Sequence, residues 1–189
     1  MTGVLFGPEP VTDDVIPPGK RMLHSSAVIS GDGLYRYRLS RAWGPSLKTL
    51  AFVGLNPSTA DGSVDDPTIR RCINFADREE CGRLAMFNLY AWRATNPSDL
   101  PADHATAVGP RNDVHLGGYI RTAAKHGLTI VCAWGTNASP ERVDEFKRLC
   151  DEIGGSKLDL RCLAVTKDGH PGHPLYIKAD QPLILWPPR

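Results

Sequence analysis

The segment Thr49–Asp61, TLAFVGLNPSTAD, constrains this chain more than any other. Its residues up to Val53 are mostly apolar or β-branched, which suits a strand covered on both faces; Gly54-Leu55-Asn56-Pro57 then forces the chain to turn. A strand buried on both sides belongs inside an open α/β sheet. Ligands bind such sheets at the carboxyl edge, where loops leaving adjacent strands in opposite directions open a crevice. Asn56 stands at that edge.

The pattern continues along the chain. Asp66-Pro67 supplies a cap followed by proline at the first helical position, and Ile69, Cys72, Ile73 and Ala76 form an apolar stripe, so a helix is predicted from Pro67 to about Glu80. Arg83–Asn88 reads as the next strand. A turn-rich stretch, Arg93–Pro110, is long enough to act as a lid. A helix over Asn112–His126, a strand over Leu128–Ala133, a helix from Ser139-Pro140 to about Ile153 and a strand over Leu160–Val165 complete the alternation. Upstream, Ala27–Ser30, the Gly31-Asp32-Gly33 turn and Leu34–Leu39 read as a β-hairpin. The predicted architecture is α/β: a three-layer sandwich with a central, mostly parallel sheet of about four strands, plus the N-terminal hairpin. Residues 1–24 read as an extended arm and residues 25–189 as a single domain.

Charge limits the classes of function. A net charge of +1 and a pI near 7.7 argue against a protein that coats nucleic acid by bulk charge, and leave room for local contact with DNA or a nucleotide. The five cysteines, Cys72, Cys81, Cys132, Cys150 and Cys162, form no C-x-x-C pair and sit mostly in apolar segments, as expected of buried thiols in a reducing cytoplasm. No apolar run reaches the length of a membrane span and the N-terminus lacks a signal-peptide pattern, so the expected location is cytoplasmic. There is no G-x-G-x-x-G after a strand, no phosphate-binding G-x-x-x-x-G-K-[ST], no G-x-S-x-G elbow and no Cys/His zinc spacing. Neither a cofactor nor a resident metal is expected.

In the predicted sheet every parallel strand exits on one edge, which brings Asn56, Asn88, Trp134 and His170 together from distant parts of the chain. Asn56 either initiates a turn or addresses a ligand, and Asn88 either caps a strand end or does the same. Asp66 suits a helix cap, whereas Asp61 has no such structural role. Arg70 and Arg71 either pair with these carboxylates or reach a phosphate. His170 and His173 lie in a Gly/Pro-rich loop; with Asp61 they offer two imidazoles and a carboxylate, the alternative of a metal-assisted hydrolase, against which Pro171 and Gly172 argue because close His pairs often use a helical frame.

Several signatures together, FVGLNPSTAD, DDPTIRRC, FNLYAWRATNP, AWG and KDGHPGHPLY, with YRYRLSRAW upstream, resemble the bacterial and phage family called domain of unknown function 1643, over about Ser25–Trp186. More distantly, the chain is similar to the uracil-DNA glycosylase superfamily. Gly54-Leu55-Asn56-Pro57 fits its first motif, Phe87-Asn88 with Arg93, Asn96 and Pro97 its second, IVCAWG its third strand, and His170-Pro171-Gly172-His173 its last loop. The chain departs from that superfamily at Ser58, where Gly or Tyr is usual, and at Gly172, where Ser is frequent.

The superfamily resemblance implies cleavage of a base from its sugar. Asn56, or Asp61 as an acidic alternative, would orient the attacking water; Asn88 would read the edge of the base; His170 would donate to the base oxygen on which charge develops. Phe75, Tyr90 or Trp92 would stack on a flipped base, with His173 also beside it, and Arg70, Arg71 and Lys167 would bind flanking phosphates. Leu175 or Tyr176 would wedge into DNA. The competing expectation is a module that binds a nucleobase, a nucleotide or nucleic acid and cuts nothing.

Overall fold

The computed structural model describes residues 21–187. Seven strands form one mixed sheet: β1 (Met22–Ile29), β2 (Arg36–Trp43), β3 (Thr49–Gly54), β4 (Arg83–Asn88), β5 (Thr129–Cys132), β6 (Asp159–Cys162) and β7 (Ile184–Leu185), in the order β1-β2-β4-β3-β5-β6-β7. Strands β4, β3, β5 and β6 are parallel; β1, β2 and β7 add antiparallel edges. Four helices accompany them: α1 (Pro67–Arg78), α2 (His104–Val108), α3 (Asn112–His126) and α4 (Pro140–Ile153).

The expected parallel strands are therefore present, but the expected count of about four falls short. The hairpin is not an appendage. Its second strand pairs with β4 in the register Leu39↔Met86, and β7 closes the far side through Arg161↔Leu185. The first strand begins at Met22, inside the stretch read as an arm; residues 1–20 of that arm lie outside the described residues. The stretch Arg93–Pro110 is not wholly irregular, since it contains the short helix α2.

Side-chain alternation builds the layers. Leu50 and Phe52 of β3, with Leu84 and Met86 of β4, face α1, where Ile69, Cys72, Ile73 and Ala76 complete one core. Ala51 and Val53, with Ala85, Phe87, Ile130 and Cys132, face α3 and α4 on the other side, against Leu116, Ile120, Val143 and Phe146. Each large apolar side chain buried this way contributes about 1.5–3 kcal/mol relative to exposure. Both predicted caps form: Asp66 Oδ1 accepts from the Ile69 N–H at 2.8 Å, and Ser139 Oγ from the Arg142 N–H at 3.2 Å.

Two local features position the site. Opposite Val28 and Ile29 the register jumps from Arg38 to Arg36, so Tyr37 is an extra residue in β2, a β-bulge. The bulge resets the alternation. Tyr37 stacks on His115 of α3 on one face, while Arg36 turns to the α1 face and donates to the Ala60 carbonyl at 2.6 Å. At the amino edge of β4, Gly82 is clamped between strands, accepting from the Trp43 N–H at 2.8 Å and donating to the Lys48 carbonyl at 3.1 Å. The five cysteines are buried and free, and burial raises the pKa of each thiol. Among the described residues no helix is long and apolar enough to cross a membrane.

Candidate functional site

Within the parallel strands, β3 is followed by its neighbour on one side, β4, and the chain then crosses to β5 and β6 on the other. The loops leaving β3 and β5 consequently run to opposite faces, toward α1 and α4, and the crevice expected at such a switch point is present. It is a cavity of about 430 Å³ at the carboxyl edge.

Asn88 ends β4 on the α1 side and lines this cavity. It is 1% exposed, and neither its Nδ2 nor its Oδ1 has a hydrogen-bond partner. Its main chain is held on every side. The Leu89 and Tyr90 N–H groups donate to the carbonyls of Gly54 and Leu55, Asn112 Nδ2 donates to the carbonyls of Asn88 and Leu89, and Arg142 Nε also donates to that of Leu89. Arg142 is tied in turn to Asp113 and Glu145. Gly54 keeps space open beside it: a Cβ there would lie 2.9 Å from Asn88 Oδ1 and 2.6 Å from Met86 Cε.

Asn56 is fixed by acceptors. Its Nδ2 donates to the carbonyls of Ala94 at 2.7 Å and Pro57 at 3.1 Å, while the Ala94 N–H donates back to the Pro57 carbonyl. Because both neighbours accept, the amide nitrogen must face them, which leaves Oδ1 as a free acceptor on a cavity-lining side chain. The loop after β4 thus holds Asn56 in the loop after β3.

His173 is the histidine that lines the cavity. Its Nδ1 accepts from the Leu175 N–H at 3.4 Å, so the proton of the neutral ring sits on Nε2. Gly135, at φ +73°, packs against this ring's Cβ, and its N–H donates to the Pro171 carbonyl. Burial lowers the His173 pKa below 6.5, with Asp66 pulling the other way. Between that lowered value and 6.5 the unfolded chain takes up the proton first, so stability falls as the pH drops through this window and is unaffected above it. In His173→Gln the acid limb of the melting temperature against pH should flatten below 6.5; an unchanged limb would place the titration elsewhere.

Of the residues singled out from sequence, Asn56, Asn88, Trp134 and His173 come together here, and the two wedge candidates, Leu175 and Tyr176, also line the cavity. His170 does not line the cavity; its backbone closes a turn with Thr166. The Asp61 carboxylate caps its own loop, accepting from the Ser63 and Val64 N–H groups and the Ser63 hydroxyl, and these bonds hold its pKa down. Phe75 is buried in the α1 core with the guanidinium groups of Arg71 and Arg78 over its ring, and Trp92 packs edge-on to Tyr35. Tyr90 is buried and bonded through its hydroxyl to Ser139. Arg70 donates to the Asp65 carbonyl, Arg71 to the carbonyls of Pro174 and Ile177, and Lys167 is exposed in a turn away from the cavity.

Asp61, His170 and His173 do not form a common donor set. Among the described residues the group of His, Cys, Asp or Glu donors lying within 4.8 Å of one another is His104, Glu141 and Glu145, where the Arg142 guanidinium already occupies Glu145. Sequence reasoning passed over Arg36 and Asp66 as site residues, and both line the cavity. Arg36 carried no readable signal, because only the bulge at Tyr37 turns it inward; Asp66 was read correctly as a cap, and the cavity wall is a second position it holds at once.

No curated protein sequence and no solved structure matches the chain. A family model described as a protein of unknown function, DUF1643, matches residues 36–175, which takes in the cavity from Arg36 on β2 to Leu175 in the last loop. The chain belongs to the DUF1643 family.

Proposed function

We propose that the cavity holds a nucleobase and that the protein hydrolyses the bond joining this base to its sugar, in the manner of the uracil-DNA glycosylase superfamily that its motifs resemble. One observation carries this reading: Asn88 offers an unpaired donor and an unpaired acceptor side by side on a cavity-lining, buried amide whose main chain is hydrogen-bonded in place. Buried polar groups are seldom left without partners unless something else satisfies them. An amide edge is complementary to the adjacent donor and acceptor on the edge of a base.

The other residues fit the chemistry. As the C–N bond breaks, its electron pair goes to the base, and the neutral His173 ring supplies an Nε2–H to the oxygen where charge collects. Asn56 Oδ1 accepts from a water and directs its lone pair at the sugar carbon, where the new C–O bond forms. Asn56 has no basic atom to take the water's proton. Asp66, a carboxylate on the same cavity wall, accepts that proton, which ends there or on the departing base. An amide in place of a carboxylate beside the water makes slow turnover the expectation.

The test is a metal-free assay on single- and double-stranded oligonucleotides carrying uracil, hydroxymethyluracil or mismatched thymine, scored by alkali-labile breaks. Breaks made by the native protein and lost in Asn56→Ala are the expected result. Breaks that persist in Asn56→Ala would remove the assigned water-positioning role, and nucleotide binding without any breaks would reduce the site to a recognition pocket.

A further inference from the structure

Three arginines are buried in the described part of the protein, and they differ in how their charge is met. Arg41 pairs with Asp65 at 2.7 Å and also donates to the carbonyls of Ser26, Ser40, Asp61 and Val64. Arg142 pairs with Asp113 and Glu145. Arg36, 2% exposed, has no carboxylate within 4.0 Å: its Nη1 donates to the Ala60 carbonyl and its Nε has no partner at all. Burial draws its pKa down to about 10, against the pull of Asp66, so it is still charged at neutral pH. A buried cation without an ion partner costs several kcal/mol, and this one lines the cavity.

Several unused donors stand beside Arg36 in the cavity wall. Its contact with Ala60 sets the guanidinium beside the loop carrying Ser58 and Thr59, and the first turn of α1 contributes Thr68 to the same cavity. None of these three hydroxyls makes a hydrogen bond within the described residues. In that first turn Pro67 has no N–H, the Ile69 N–H goes to the Asp66 side chain and the Arg70 N–H to the Asp66 carbonyl, which leaves the Thr68 N–H unused at the positive end of the helix. Asp66 carries the opposing charge, but its Oδ1 is committed to the cap.

We propose that Arg36, the hydroxyls of Ser58, Thr59 and Thr68, and the start of α1 form a receptor for a phosphate, so that the pocket takes a nucleotide unit and not a bare base or nucleoside. This rests on the nucleobase reading of Asn88 for the other half of the ligand. The phosphate can be the monoester of a free nucleotide or the diester of a strand; the chemistry that Arg36 recognises is common to both.

The experiment is calorimetric titration and thermal shift of the full-length protein at low salt. The probes are the common deoxynucleosides and deoxyuridine, their 5′-monophosphates, a single-stranded trinucleotide for each base, and inorganic phosphate and pyrophosphate alone. For at least one base the monophosphate or the trinucleotide should bind at least about 10-fold tighter than the nucleoside. Arg36→Gln should bring that ratio to about one with nucleoside affinity unchanged, and Arg36→Lys, which keeps the charge but loses the fork, should fall between. Free of ligand, Arg36→Gln should melt no lower than the native protein, because it removes an unpaired buried charge; a residue kept for structure would show the reverse. A tighter trinucleotide identifies the diester, a tighter monophosphate the free nucleotide. Equal binding of nucleoside and nucleotide by the native protein, or a preference retained in Arg36→Gln, overturns the proposal. If no nucleoside or nucleotide binds but phosphate or pyrophosphate stabilises the native protein and not Arg36→Gln, the anion receptor stands and the nucleobase reading falls. Silence from every probe overturns both.

Discussion

Asn88→Ala is expected to weaken nucleotide binding by about 100-fold, which corresponds to about 2.7 kcal/mol, and to leave the protein at least as stable as before. The two halves of this expectation come from one fact. A buried amide whose donor and acceptor both lack partners costs the folded state about 1–3 kcal/mol for each unmade hydrogen bond, so its removal relieves a penalty. The same two groups are then missing when a base arrives. Asn88→Asp gives a second measure, since it keeps the shape and the acceptor but turns the donor into a second acceptor: affinity should fall and the order of preference among bases should change. Titration of each variant with the monophosphates, alongside its melting temperature, decides the matter. A lower melting temperature in Asn88→Ala with unchanged affinity would make Asn88 a structural residue and remove the main support for a base-binding pocket.

Gly82→Ala should destabilise the protein by about 3 kcal/mol and leave ligand binding by the folded protein unchanged. An added Cβ would lie 2.2 Å from the Ser46 carbonyl oxygen and 2.9 Å from that of Trp43. Both obstacles are backbone, so relief requires moving the β2–β3 connection or the start of β4, and overpacking of this kind typically costs about 1–3 kcal/mol, occasionally more. In a domain of this size each kcal/mol shifts the melting temperature by about 2–4 °C. Gly82 precedes the amino end of β4 and Asn88 closes its carboxyl end, so the two substitutions separate fold from site along one strand. A melting temperature within a degree of the native value would mean that the connection is free to move.

The legible parts of the fold were those set by short-range rules. Asp66-Pro67 and Ser139-Pro140 announced helices that begin where expected, and Arg83–Asn88 and Asn112–His126 have the bounds that their pattern implied. The hairpin's place was not legible. In YRYRLSRAW apolar and charged residues alternate, yet both faces of β2 are largely covered and Arg41 is buried among carbonyls and Asp65 supplied by the loop before α1. Burial of an arginine depends on partners 20 or more residues away, and no local pattern encodes them.

The site divides in the same way. Asn56 and Asn88 were visible because Asn88 ends a buried strand and Asn56 follows one by two residues, and the carboxyl ends of parallel strands fall on one edge of the sheet whatever the loops do. The choice between His170 and His173 was not visible: they are three residues apart in one loop, and only the packing of Gly135 against His173 and the turn closed by Thr166 decide which ring enters the cavity. Phe75 had the right chemistry for stacking but sits on the core stripe of α1.

By itself the sequence determined the α/β alternation, the parallel strands and the edge on which the cavity opens, because these follow from periodicity, caps and turns within a few residues. Only the tertiary structure decided which side chains meet there. One extra residue at Tyr37 reverses the faces of β2 and brings Arg36 into the cavity, and hydrogen bonds from Asn112 and Arg142 hold the main chain at the end of β4, where the Asn88 amide is left unpaired. Contacts between distant segments fix these facts, and their energies do not exist until the layers have packed.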